Sequence, residues 1–178
     1  MASPRSRDTH MATFFRGDTI VNVDRVNKVQ RGGTMVRYRC LVIGGNTRGC
    51  AGYGIGKADS PREATDIALR KCKQNVFFVD RFRGSGLSRD LVGRHNSCKV
   101  ILRAVEPNQG LNGHPLVMDI LTYFGITDCV SKTHGNRNVY SVVRATFKAI
   151  MTHESMEEIA LKRGKRLISL ERAARLQI

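Results

Sequence analysis

Cys50-Ala51-Gly52-Tyr53-Gly54-Ile55-Gly56-Lys57 is the stretch on which the fold turns. Read as a strand, its side chains alternate between two faces, so Gly52, Gly54 and Gly56 share one bare face. Ala51, Tyr53, Ile55 and Lys57 occupy the other. A strand with nothing on one face packs little and costs backbone entropy. It makes sense where something large must lie against the backbone. The chain carries 30 Lys+Arg against 15 Asp+Glu in 178 residues, so the expected visitor is a sugar-phosphate chain.

Two further strands lead into this one. Ile20 to Val29 and Thr34 to Ile43 flank Gln30-Arg31-Gly32-Gly33, a hairpin tip. In the second strand Val36, Tyr38, Cys40 and Val42 alternate with Arg37, Arg39 and Leu41. Gly44 to Gly49 is a second turn, carrying Arg48. Downstream, Ser60-Pro61-Arg62-Glu63 starts a helix: Ser60 caps, Pro61 suits the first position and Glu63 closes a capping box. Its apolar stripe is Ala64, Ala68, Cys72, Val76 and Val79. The expected unit is three antiparallel strands with basic, glycine-rich tips and a helix on one side.

From Asp80 to Asn96 the pattern breaks into glycines and arginines, which marks a boundary. A strand at Ser97–Val105, a helix from about Pro115 to Phe124 stopped by Gly125, a strand at Ile126–Lys132 and a helix bearing Val139, Val142, Val143, Phe147 and Ile150 follow. This is a small β-α-β-α layer. Ser155 and Glu158 form a second capping box, and Leu167, Leu170 and Ala174 have helical spacing in the tail.

The charge is uneven. Residues 1–100 hold 19 basic and 8 acidic side chains, residues 101–150 only 5 and 3. The first half therefore carries the main electrostatic footprint, and the second half reads as a packing or protein-contact module. No run approaches the ~18 apolar residues of a membrane span. The five cysteines are odd in number and lack a Cys-x-x-Cys pair, so neither a disulfide framework nor a zinc site is indicated. They read as core residues of a reducing compartment.

Nucleotide chemistry fails on spacing. A phosphate-binding loop ending at Gly56-Lys57 needs glycine at position 51 and Ser or Thr at 58, where Ala51 and Ala58 stand. A dinucleotide fingerprint needs its third glycine one place later. The five histidines are scattered, no catalytic grouping stands out, and no cofactor or metal is expected. The chain reads as a non-enzyme. With few aromatics, RNA would be held by shape and phosphates rather than by base stacking.

The segment Val23-Asp24-Arg25-Val26-Asn27-Lys28-Val29-Gln30-Arg31-Gly32-Gly33 resembles the opening motif of small-subunit ribosomal protein five, the S-five family. Gly52-Tyr53-Gly54-Ile55-Gly56-Lys57-Ala58 is similar to its glycine-rich third strand. Val142-Val143-Arg144-Ala145-Thr146 is similar to its helix motif, and Ala160-Leu161-Lys162-Arg163-Gly164-Lys165 to its closing motif. The resemblance runs in order over residues 19–165. It implies an α+β fold: a double-stranded-RNA-binding-like three-stranded sheet with a helix, then a C-terminal β-α-β-α S-five domain. The expected division is a basic extension (1–18), the first domain (19–80), a basic linker (81–96), the second domain (97–154) and a helical tail (155–178).

The same resemblance implies a structural role in the small ribosomal subunit, near its neck and the messenger entry path, supporting decoding accuracy. Implied neighbours are small-subunit rRNA, proteins S-four and S-eight, and nearby messenger RNA, with no membrane. The rRNA-contacting residues would be Arg25, Lys28, Arg31, Gly32, Gly33, Arg37, Arg48, Gly52, Gly54, Gly56 and Lys57. Asn108, Gly110, His114 and Met118 fall in the region that borders S-four; Asn108, His114 with Pro115, and Met118 depart from the family's usual glycine, glycine pair and arginine. Divergence and five cysteines point to a mitochondrial ribosome; a bacterial cytoplasm or another organelle is the alternative location. A free-standing RNA-binding regulator or chaperone is the alternative function.

Overall fold

The computed structural model describes residues 15–168. The extension up to residue 14 and the tail from residue 169 lie outside the described residues, and with them most of the expected tail helix. Two four-stranded sheets form the framework, one of strands between Gly17 and Phe78 in chain order and one of strands between Leu91 and Gly135, where the last strand in the chain lies between the second and the third.

In the first, β1 (Gly17–Gln30), β2 (Gly33–Gly45) and β3 (Cys50–Ala58) are antiparallel neighbours. The helix α1 (Pro61–Gln74) starts at its predicted cap, with Ser60 Oγ accepting the Glu63 N–H at 3.2 Å, although the Glu63 side chain does not return the bond that would close the box. It is shorter than its apolar stripe predicts. Asn75 ends it, and Val76 and Phe78 belong instead to β4 (Val76–Phe78), whose Val76 pairs with Gly52. An apolar run of this length fits either element, and an open edge on β3 decides for the strand.

The stretch read as a linker is not one. Its last third is β5 (Leu91–His95), which forms a hairpin with β6 (Cys98–Ala104). Before it, Arg81 donates to the carbonyls of Gly125 (3.1 Å) and Thr47 (3.4 Å), and Arg89 to that of Thr152 (2.8 Å). Ser88 donates its backbone N–H and sets its hydroxyl against Nε2 of His153. Burial, then the charge of Arg89, lowers the His153 pKa, which suits a ring that accepts at Nε2. Of the four arginines between residues 80 and 96, Arg81 and Arg89 hold protein carbonyls.

The second module continues with β7 (Leu111–Asn112), α2 (Pro115–Phe124), β8 (Cys129–Gly135), α3 (Val139–Met151) and α4 (Met156–Lys162). Gly125 ends α2 in the left-handed region (φ 74), and the N–H of Ile126 reaches back to the Leu121 carbonyl. Ile126 is thereby buried in a turn, which delays β8 by three residues from its predicted start. The predicted Ser155–Glu158 capping box forms around α4.

The larger of two buried clusters is shared by both modules; the smaller, Cys40, Val42, Ala64 and Ala68, lies between α1 and the first sheet. Leu41, Ile43 and Ala51 of the first sheet belong to the same buried cluster as Val117, Ile120, Phe124, Phe147 and Ile150. Phe147 sits at its centre, with ring centroids 4.8 Å from Tyr53, 5.3 Å from Phe77 and 5.5 Å from Phe124. All five cysteines are buried and free, and burial pushes the thiols of Cys72 and Cys129 up to about 12.

Candidate nucleic-acid interface

The bare face of β3 is covered from within. A Cβ on Gly56 would collide with the Ala64 carbonyl, one on Gly54 with the Ala68 carbonyl, and one on Gly52 would lie 2.5 Å from the Asn75 carbonyl. The large object lying against this backbone is α1, packed through its small residues Ala64, Ala68 and Cys72. The opposite face of β3 turns Ala51, Tyr53 and Ile55 into the shared core. The face assigned to rRNA is therefore filled by the protein's own helix: Gly52, Gly54 and Gly56 are buried beneath α1, while Tyr53 and Ile55 on the other face are half-buried. Lys57, at the strand's end, is exposed.

The hairpin tip has the opposite character. Around Gly32 and Gly33 a Cβ would meet nothing within 4 Å, and Gly33 (φ 131) adopts a conformation that favours glycine. These glycines leave the backbone open to approach from outside. Beyond the Tyr38–Ala58 pairing, β1 and β2 run on as a two-stranded ribbon from Val26–Arg37 to Gln30–Gly33. At ~3.3 Å per residue it projects on the order of 15 Å. Val29 is 82% exposed and Met35 50%, because no third strand runs alongside the ribbon there. Two-stranded ribbons are marginal in water on their own, so this one depends on its anchored root.

Register distributes the charges. Lys28 pairs with Met35, Val26 with Arg37 and Arg39 with Lys57, all on one face, where they line a groove of about 320 Å³. Arg25 is on the other face of the ribbon and Arg31 at its tip. Arg37 is ion-paired with Asp59 at 3.2 Å, but both side chains are more than half exposed, so the pair is weak and yields readily to a phosphate. Arg48 is exposed at the far end of the sheet, in a turn bonded to the end of α2 through Thr47 N–H to Tyr123 and Gly49 N–H to Phe124. The structure thus brings together Lys28, Arg31, Gly32, Gly33, Arg37 and Lys57, adds Arg25 behind them, and sets Arg48 apart.

Arg39, on the same face, was left out of the expected site, and it serves the protein instead. Its Nη2 donates to Asp24 at 2.9 Å, its guanidinium lies 4.2 Å over the Tyr140 ring, and the Tyr140 hydroxyl donates to Asp24 at 2.7 Å. Hydrogen bonds from Arg39 first, and then from Tyr140, hold the Asp24 carboxyl below its usual range. This cluster clasps the root of the ribbon to α3. No local spacing signals it, because Asp24 and Tyr140 are 116 residues apart.

The expected protein-contact residues flank β7 and the start of α2. Asn108 and Gly110 lie in the loop before β7, His114 stands at the N-terminal boundary of α2 without a side-chain capping bond, and Met118 is in its first turn. Asp128 organises the loop by accepting the Gly110 N–H at 3.1 Å, the chief reason that its carboxyl sits low.

Fold and surface together define a basic two-module α+β protein with a projecting cationic ribbon. Residues 17–80 match the family model described as "Ribosomal protein S5, N-terminal domain", and residues 93–163 that described as "Ribosomal protein S5, C-terminal domain". The chain belongs to the ribosomal protein S5 family. Among its relatives, "Small ribosomal subunit protein uS5" of Maricaulis maris is 37% identical over 83% of this chain and 73% of its own length. Its namesake in Hyphomonas neptunium is 37% identical over 90% and 80%, and that of Brucella anthropi 34% over 94% and 89%.

Proposed function

We propose that this chain is a structural constituent of a small ribosomal subunit and grips rRNA with the β1–β2 ribbon. The observation that carries this reading is the projecting cationic ribbon with open tip glycines on a chain of the S5 family. The reading assigns Lys28, Arg31, Arg37 and Lys57 to phosphates, and Gly32 and Gly33 to close backbone approach, near the subunit's neck and messenger entry path. It gives the loop holding Asn108 and Gly110, with His114 and Met118, to a protein neighbour of the S-four type, and S-eight to the wider surroundings. Its contribution is assembly and decoding accuracy rather than catalysis.

The relatives named above are bacterial, which supports a ribosome of bacterial type; divergence and five buried cysteines support a mitochondrial home for it. Sucrose-gradient sedimentation of the tagged chain at moderate and high salt, with sequencing of co-sedimenting RNA, tests both points. Travel with a small subunit at both salts is expected, and the rRNA sequence names the compartment. A chain that stays at the top, or leaves at modest salt with other RNAs, is a free-standing RNA-binding regulator or chaperone instead.

A further inference from the structure

A count of charges along the chain hides a second cationic surface, on the outer face of the second sheet. Strand pairing sets Arg94 opposite Lys99 and Lys99 opposite His134, one row across β5, β6 and β8. The next row is Val92, Ile101 and Lys132, and Arg103 pairs with Val130 in the row after that. Alternate positions of the same strands point inward, toward α3 and the core. The outer ones are open: Arg94, Arg103, Lys132 and His134 are exposed, and Val92 is 46% exposed.

Strands lie ~4.8 Å apart, so Arg94 and Lys99 are close like charges, a pairing that sheets disfavour. No carboxylate among the described residues relieves it. Among the described residues, none of Arg94, Lys99, Arg103 and Lys132 forms an ion pair with a carboxylate. Asp90, at the start of β5, spends its carboxylate on the Ala104 N–H at 2.9 Å. A polyanion supplies the counter-charge. The face has no Trp, Tyr or Phe, the anchors that protein interfaces favour and on which bases stack, so the fit is to phosphates.

We propose that the outer face of β5, β6 and β8 is a second rRNA contact, made by Arg94, Lys99, Arg103 and Lys132 and independent of the ribbon. It rests on the ribosomal reading for the identity of the RNA. The test uses the full chain and small-subunit rRNA of Maricaulis maris. A face variant (Arg94→Gln, Lys99→Gln, Lys132→Gln) is compared with a ribbon variant (Lys28→Gln, Arg31→Gln, Arg37→Gln). Each lost phosphate contact lowers the slope of log affinity against log salt by about one, so each variant should lose about three. Each should also expose a different rRNA segment to hydroxyl radicals.

A face variant with the wild-type slope and footprint, beside a ribbon variant that loses its own, overturns the second contact and leaves the ribosomal reading standing. A face variant that keeps both but loses a protein cross-link in assembled subunits overturns it in favour of a protein contact. A wild-type chain without salt-dependent rRNA binding overturns both readings. Lys132→Gln alone, with an expected loss of about one in slope, decides the matter if the triple variant does not fold.

Discussion

Adding one methyl group at Gly54 drives it into the Ala68 carbonyl and the Cys72 amide of α1, while the same group at Gly32 enters open space. Backbone cannot step aside as a flexible side chain can. Gly54→Ala should therefore cost about 1–3 kcal/mol in denaturant unfolding, in the range of overpacked cores. Gly32→Ala should stay within about 0.5 kcal/mol, as surface changes do. Equal stability of the two variants would remove the helix-packing account of the β3 glycines. Gly93 repeats the device in the second sheet, where a Cβ would collide with the Ala145 carbonyl of α3. Each sheet therefore admits its helix at glycine, and the helices answer with alanine.

At the scale of elements, the ribbon needs a rigid root, and the Asp24–Arg39–Tyr140 cluster provides it by tying β1 and β2 to α3. Tyr140→Phe removes one hydrogen bond to a carboxylate that is 31% exposed, so the cost should be about 1 kcal/mol. Because the folded Asp24 pKa lies below the unfolded value of about 3.9, its contribution is complete above that value. It is lost as pH falls through the folded value. The stability gap between wild type and Asp24→Asn should therefore shrink in acid below about pH 4, by thermal melts across that range. A gap that holds constant with pH would mean that the carboxylate is not what ties the ribbon down.

For the whole molecule, one buried cluster spans both sheets, and Arg81 bridges the β2–β3 turn and the end of α2. The two modules should then unfold as one. Calorimetry is expected to give a single transition whose calorimetric and van't Hoff enthalpies agree; two separated transitions would show the core to be divided.

Local signals alone determined the three-stranded meander, the capped helix starts at Ser60 and Ser155, the stop at Gly125 and the family, because turn chemistry, caps and side-chain period act within a few residues. Tertiary structure alone decided what lies on the glycine face, where the linker arginines go, and which cations share a surface. A bare strand face reads the same whether a phosphate or the chain's own helix fills it. Arg94 and Lys132 become neighbours only when β6 comes between their strands.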